Sequence, residues 1–491
     1  MTRQMMKEHQ VSAERLRKMS LLVEGLVFYR GVLKDRVVQS FLKLAKHPDF
    51  KQYYRFFRLL AEIQPKMAVS GSDAQAGPWV EHLINLIISD DNPFSRWTEL
   101  QGTEAVPDSW YEIAVRDLNI LQVLASTKSE TIRQVAANPV GGGNPAGEHV
   151  PNRESFFAEL EPQNWPAWEV LGAHYPPAPR EVSASSGFKT TYPAGTAWLD
   201  RCRSRVREAL LGSGKWGQAV RALAGYYHQV GRGLLANYVA FRWVRSGNKG
   251  FLTGIRNHDP IELNQLFGYK RQREIIIENT EQFLRGHPAQ NILLYGDRGT
   301  GKSSTVKALL NEYAFRGLRL VEVSKGDFGD FPRIARLLGE YPQRFVIFVD
   351  DLSFGEQDEG YKALKSVLEG TTEVKPENVV VYATSNRRHL VKESFSDRNP
   401  EDELHGMDTV QEKLSLADRF GITITFSSPS QEEYLQIVRG LARQQGLNMD
   451  PEELRALALR WAVWHNGMSG RTARQLVDYC RAKGVRGQDL V

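Results

Sequence analysis

Apolar positions recur at three- and four-residue spacing through residues 11–135: Leu21, Leu22, Leu26, Val27 and Val32, then Val37, Phe41 and Leu42, and again over 53–62 and 113–125. That period predicts a run of amphipathic helices, broken by a polar stretch at Gly71–Gly77. From Asn138 to Gly195 the period is lost. This stretch holds nine of the 22 prolines and a Gly141-Gly142-Gly143 run, so it reads as an irregular connector. Helix-like spacing returns over 196–245, now rich in arginine and aromatic residues. Beyond Asn257 short β-rich runs alternate with helical stretches: Asn291–Tyr295, Leu318–Val323, Phe345–Val349, Val379–Ala383 and Ile422–Phe426. Five such strands with helix-length connections predict an α/β fold built on a largely parallel sheet. Residues 430–491 read as helices alone, a small lid after the α/β core. The expected organisation is a helical N-terminal domain (1–137), a connector (138–195), a basic helical segment (196–256), an α/β core (257–429) and a helical lid (430–491). No tandem repeat of solenoid period is evident.

Composition narrows the class. Of 491 residues, 41% are hydrophobic and 25% charged, which excludes global disorder. Two cysteines, Cys202 and Cys480, exclude a disulfide framework or a multi-cysteine zinc site. The polar start, Met1–Gln10, has no secretory apolar core, and no apolar run is long enough to span a bilayer, so no membrane association and a cytoplasmic location are expected. The net charge of +5 is concentrated: residues 201–250 carry ten basic residues against one acidic.

Directly after Asn291–Tyr295 comes Gly296-Asp297-Arg298-Gly299-Thr300-Gly301-Lys302-Ser303, followed by Ser304 and a predicted helix to Tyr313. This fits G-x-x-x-x-G-K-[ST] in a strand–loop–helix context. Glycines let the backbone curl so that its N–H groups face phosphate oxygens, and the helix presents its positive dipole end to the same anion. Lys302 suits β/γ-phosphate charge, and the Ser303 hydroxyl suits Mg²⁺. A metal-side carboxylate is supplied by Phe345–Val349, an apolar strand ending in Asp350-Asp351: Asp350 for Mg²⁺, Asp351 to orient the attacking water. The run at Val379 ends Ala383-Thr384-Ser385-Asn386, where strand carboxyl ends line the ligand crevice. Asn386, with Thr384 as second choice, is a candidate for placing water near the γ-phosphate; a polar strand end that caps a helix is the plainer alternative. Arg419 precedes the fifth strand and Arg471 opens the last lid helix. A planar guanidinium can engage phosphate oxygens bidentately.

With these residues in view, 257–491 resembles the AAA+ ATPases, a branch of the P-loop NTPases. The match begins at a pre-loop box, Leu266-Phe267-Gly268-Tyr269. The resemblance implies that Phe267 and Gly268 contact adenine, that the loop is Walker A and that Asp350-Asp351 is Walker B. It further implies that Asn386 is sensor 1, Arg471 sensor 2, and Arg419 an arginine finger acting on a neighbouring subunit, hence a homo-oligomer. The strings Asp350-Asp351-Leu352-Ser353-Phe354, Tyr361-Lys362-Ala363-Leu364-Lys365 and Thr384-Ser385-Asn386-Arg387-Arg388-His389-Leu390 are similar to an uncharacterised bacterial family of AAA+ ATP-binding proteins. Walker B in AAA+ proteins usually ends Asp-Glu, and the matching residues here are Asp350-Asp351, one methylene shorter.

The function these readings imply is Mg²⁺-dependent binding and hydrolysis of ATP, serving either an oligomeric remodelling or loading machine with an unknown macromolecular client, or a nucleotide-gated adaptor that turns over slowly. The basic block at Arg201, Arg203, Arg205, Arg207, Lys215, Arg221, Arg232, Arg242 and Arg245 is interleaved with Trp216, Tyr226, Tyr227, Tyr238, Phe241 and Trp243. It reads either as a nucleic-acid surface or as helices with an aromatic core and docked or solvated arginines. His389 and His405 stand singly, without metal-ligand spacing.

Overall fold

The computed structural model describes residues 3–67, 76–137, 162, 165–169, 194–247, 249–352, 364, 368, 376–386, 419–465 and 467–483. Most of the connector, His389, His405, the Arg387–Leu390 string and most of Tyr361–Lys365 lie outside these residues. The chain divides into two compact units, one of residues 1–190 with 200–237, the other of 191–199 with 238–491.

The N-terminal unit is helical. Its elements are α1 (Arg3–Glu24), α2 (Arg36–Lys46), α3 (Phe50–Met67), α4 (Pro78–Ile88), α5 (Pro93–Gln101), α6 (Asp108–Ala125), α7 (Ser129–Ala137), the greater part of α8 (Ala194–Gly212), and α9 (Val220–Gln229). Starts follow local chemistry. The Asp35 carboxylate accepts the Val37 and Val38 N–H groups at 2.9 and 3.0 Å, and Asn92 and Ser95 form a reciprocal capping box ahead of α5. The core is aromatic: Phe41 stacks on Trp79 with centroids 4.6 Å apart, and Trp168 meets Phe56 edge-on at 5.2 Å. Trp165 and Trp168 belong to the stretch read as an irregular connector, yet both are buried in this core. In α1 the apolar period was right but its phase was not. Leu16, Met19 and Val23 face inward, whereas Leu21 and Leu22 are exposed.

The other unit holds a seven-stranded sheet: β1 (Ala240–Ser246), β2 (Lys249–Ile255), β3 (Ile292–Gly296), β4 (Leu318–Glu322), β5 (Arg344–Val349), β6 (Val379–Ser385) and β7 (Ile422–Phe426), in the order β2-β1-β4-β5-β6-β3-β7. The five strands expected from sequence are present and mutually parallel. Two more correct the helical reading of 196–256: residues 240–255 form an antiparallel hairpin whose first strand pairs in parallel with β4. Along β1, Phe241 and Trp243 are buried and Arg242 is exposed, a two-residue period overridden in the sequence by the helical spacing before it. β5 and β6 are buried along nearly their whole length, as expected where helices cover both faces. Those helices are α10 (Lys270–Leu284), α11 (Lys302–Tyr313) and α12 (Phe331–Leu338). The lid is α13 (Gln431–Gln444), α14 (Pro451–Trp464) and α15 (Gly470–Lys483), closed around Tyr434, Val438, Ala458, Leu476 and Val477. No described helix is long and apolar enough to cross a membrane.

Candidate nucleotide-binding site

The parallel order sets β3 between β6 and β7, with β5 beyond β6. The carboxyl ends of β3, β5 and β6 therefore open side by side into one crevice, the position where α/β sheets bind ligands. A cavity of about 660 Å³ lies there.

The loop after β3 needs its glycines. At Gly296 φ is +133°, and a Cβ would lie 2.1 Å from the carbonyl oxygen of Phe426, so no side chain fits. Gly301 (φ +91°) turns the chain into α11. The Lys302 ammonium donates to the carbonyls of Gly296 and Asp297 at 2.8 and 2.6 Å, and reaches Asn386 Oδ1 at 3.4 Å. Burial pulls the Lys302 pKa below its ordinary value, against the opposing pull of Asp297, Asp350 and Asp351. Asp297 is turned away to accept Ser428 N–H and Oγ–H, both at 2.7 Å, which holds its carboxyl below the usual range.

Ser303 and Asp350 meet: Ser303 Oγ donates to Asp350 Oδ1 at 2.6 Å. Thr384 organises both acids. Its hydroxyl donates to Asp350 Oδ1 at 2.6 Å and accepts the Asp351 N–H at 3.0 Å. Asn386 Nδ2 donates to Asp351 Oδ1 at 2.7 Å, so this one amide bridges the second acid and Lys302. Asp351 has φ +53°, a left-handed backbone that aspartate tolerates better than longer side chains.

The lid closes the other side. Phe267 packs on the lid core, and a Cβ on Gly440 would stand 2.3 Å from its ring. Leu266, Phe267, Ile437 and Leu441 make the apolar wall of the cavity. Gly268 supplies the left-handed turn beside them (φ +74°) without itself lining the cavity. At the start of α15 the Arg471 N–H donates to the Gly299 carbonyl at 3.1 Å, tying the lid to the loop backbone. Arg298, Gly299, Thr300, Gly301, Ser303, Ser304 and Arg471 line the cavity. Arg419 is exposed, just before β7, and does not line it.

Two lining arginines were missed in the sequence. Arg474 stands three residues after Arg471 on the same helix, and Arg273 stands one turn into α10, after the pre-loop box. Both spacings were legible once the helices were known. Among the described residues no cluster of three His, Cys, Asp or Glu side chains could hold a metal. The Ser303 and Asp350 oxygens are nonetheless hard donors of the kind Mg²⁺ takes when a phosphate completes its shell.

The basic, aromatic block at 201–245, which the sequence left open between two readings, has the following contacts. Trp216, Tyr226, Tyr227, Phe241 and Trp243 are buried. Arg207 is bonded to Glu81, Arg232 to Glu99 and Asp91, Arg242 to Glu322 and Arg245 to Asp330. The reading of docked arginines around an aromatic core is the one these contacts support.

A parallel sheet with the loop strand set beside β6, a glycine-lined loop opening a helix, acids at the end of β5 and a helical lid define a P-loop NTPase of the AAA+ class. The profile of a family described as protein of unknown function (DUF815) matches residues 236–484, half of the chain, and the chain belongs to that family. It is also similar to the replication factor C large subunit of Methanococcus maripaludis, 29% identical over 85 residues, 17% of each chain. With that of Staphylothermus marinus it shares 26% identity over 214 residues, 42% of this chain and 44% of that one. The proteasome-activating nucleotidase of Methanocella arvoryzae is 28% identical over 180 residues, 35% of this chain and 40% of that one. The chain thus spans less than half the length of these curated relatives. Among solved structures, the Thermotoga maritima RuvB Holliday junction branch migration motor matches at 15% identity and a TM-score of 0.32, covering 45% of this chain and 65% of that one.

Proposed function

We propose that the protein binds ATP with Mg²⁺ and hydrolyses it, as an oligomeric AAA+ ATPase acting on a macromolecular client. The observation that carries this is the contact of Ser303 with Asp350 at 2.6 Å, beside a buried lysine at the mouth of a glycine-lined loop. Residues 47 positions apart are brought together as a pair of hard oxygen donors that would suit Mg²⁺.

Adenine would lie against Phe267, Ile437 and Leu441, and the triphosphate along the loop. Lys302 would exchange its bonds to the loop carbonyls for β/γ-phosphate oxygens. Ser303 and Asp350 would hold Mg²⁺, which when bound offsets phosphate charge. Asp351, steadied by Asn386, would orient water for in-line attack on the γ-phosphate. Arg471, with Arg474, would engage the phosphates from the lid, and Arg419 would act on the pocket of a neighbouring copy. A slowly hydrolysing, nucleotide-gated adaptor is the second reading. It is favoured by the short Asp351 carboxylate and its engagement with Asn386.

Calorimetry with ATP and Mg²⁺ tests the proposal. Wild-type protein should bind, and Lys302→Ala should lose on the order of 10²-fold in affinity, since charge-assisted hydrogen bonds are each worth roughly 1.5–3 kcal/mol. Folded wild-type protein that gives no heat would end this reading.

A further inference from the structure

Helices α2 and α3 of the N-terminal unit flank a groove of about 760 Å³ that has no part in the nucleotide site. Its α2 wall presents Arg36, Gln39, Ser40 and Lys43, spaced to share one face of a helix. Its α3 wall presents Lys51, Arg55 and Arg58 at the same kind of spacing. All five cations are exposed, no acidic residue lines the groove, and none of the five has a carboxylate partner among the described residues. An uncompensated row of this kind is the electrostatic footprint of a polyanion site.

Two further features separate this groove from a solvated charged face. Along α3, between the cations, runs a ladder of half-buried rings: Phe50 lies 4.5 Å from Tyr54, and Tyr54 lies 6.4 Å from Phe57, centroid to centroid. A half-exposed aromatic beside a cation offers a π-face to an unpaired base. The second feature is Ser40. It is 3% exposed, lines the groove, and its hydroxyl has no hydrogen-bond partner among the described residues. A buried hydroxyl left unpaired is costly unless a ligand completes it.

We propose that the α2–α3 groove binds single-stranded nucleic acid, its phosphates along the cation rows, its bases over the Phe50–Tyr54–Phe57 ladder, and one phosphate oxygen accepting from Ser40 Oγ. The seven helical rises from Arg36 to Lys43 span about 10 Å, which matches about three stacked nucleotides at 3.4 Å per strand position. Duplex nucleic acid, whose bases are already stacked, cannot use the ring ladder.

The test is fluorescence anisotropy of a labelled oligothymidylate of about 15 nucleotides, long enough for one site, with the full chain over a salt series. Wild-type protein should bind, and the log–log salt slope should fall by about 0.7 for each cation removed in Arg55→Ala and Arg55→Ala/Arg58→Ala. Tyr54→Leu should weaken binding about five-fold or more at an unchanged salt slope. Ser40→Ala should weaken it roughly 2- to 10-fold, again at an unchanged slope. Thermal melting checks that each variant folds, and the charge substitutions, all at exposed positions, keep the test open if Ser40→Ala does not. Lys302→Ala protein should bind the oligonucleotide as wild type does, which separates this groove from the nucleotide site. Absence of binding at low salt would overturn the proposal. So would equal binding to inorganic polyphosphate or phosphatidylserine vesicles with Tyr54→Leu silent, or binding lost in Arg201→Ala/Arg205→Ala and kept in Arg55→Ala/Arg58→Ala.

Discussion

At the scale of single residues, Thr384 shows how little material sets the geometry of the proposed phosphate site. One hydroxyl touches both the Asp350 carboxylate and the Asp351 amide, so β6 positions the acids carried by β5. Thr384→Val keeps the shape and removes both bonds. Steady-state turnover should drop by about 10- to 100-fold, the scale of a small misplacement, with ATP affinity nearly unchanged. The Walker B departure has a local rationale too. At φ +53° an aspartate is better tolerated than a glutamate, so the short carboxylate suits its backbone. In the N-terminal unit, burial raises the Asp90 pKa from its ordinary 3.8 to about 6, helped by the neighbouring Asp91 charge and opposed by a hydrogen bond from Asn92. The folded state thus holds that proton more tightly than the unfolded chain does. Its contribution to stability is present below pH 3.8 and is lost as pH rises towards 6. Melting temperatures measured between about pH 4 and 7 should show this decline in wild type and lose it in Asp90→Asn.

Elements decide how much of this was legible beforehand. The phosphate loop was readable because its chemistry is contiguous: the glycines, Lys302 and Ser303 occupy one turn, and each is required by a backbone or charge constraint that acts locally. The β1–β2 hairpin was not. Its first strand carries only two buried alternating aromatics, and its second is specified by glycines whose role is visible only across the strands. A Cβ on Gly250 would stand 2.1 Å from the Trp243 ring, and one on Gly254 2.2 Å from Tyr238. Arg273, Arg474 and the Thr384 bonds were hidden for the same reason: they join segments far apart in sequence. Close approach between elements also shapes the apolar wall. Gly440 of α13 leaves room for Phe267, so Gly440→Ala should displace that ring. ATP affinity should then fall about ten-fold, the worth of one base–aromatic stack. Inorganic tripolyphosphate, which lacks the base, should bind as before; calorimetry with both ligands makes the comparison.

On the scale of the whole molecule, one arginine was assigned in the sequence to a pocket other than its own. Arg419 is exposed and stands apart from the cavity of its own chain. If it completes a neighbour's pocket, Arg419→Ala should bind ATP normally and lose about 10³-fold or more in turnover, as arginine fingers do. Lys302→Ala has an empty pocket but an intact Arg419. Mixing the two inactive proteins should therefore restore part of the activity, whereas an arginine acting within its own chain gives no recovery.

The bond from the Arg471 amide to the Gly299 carbonyl joins the last helix to a peptide of the proposed phosphate loop. That carbonyl belongs to the glycine-lined turn, so the helix tied to it would act as a pointer fixed to the dial it reads. If the turn wraps a phosphate as proposed, losing that phosphate would shift the dial and swing the pointer, most of all at the far tip of α15.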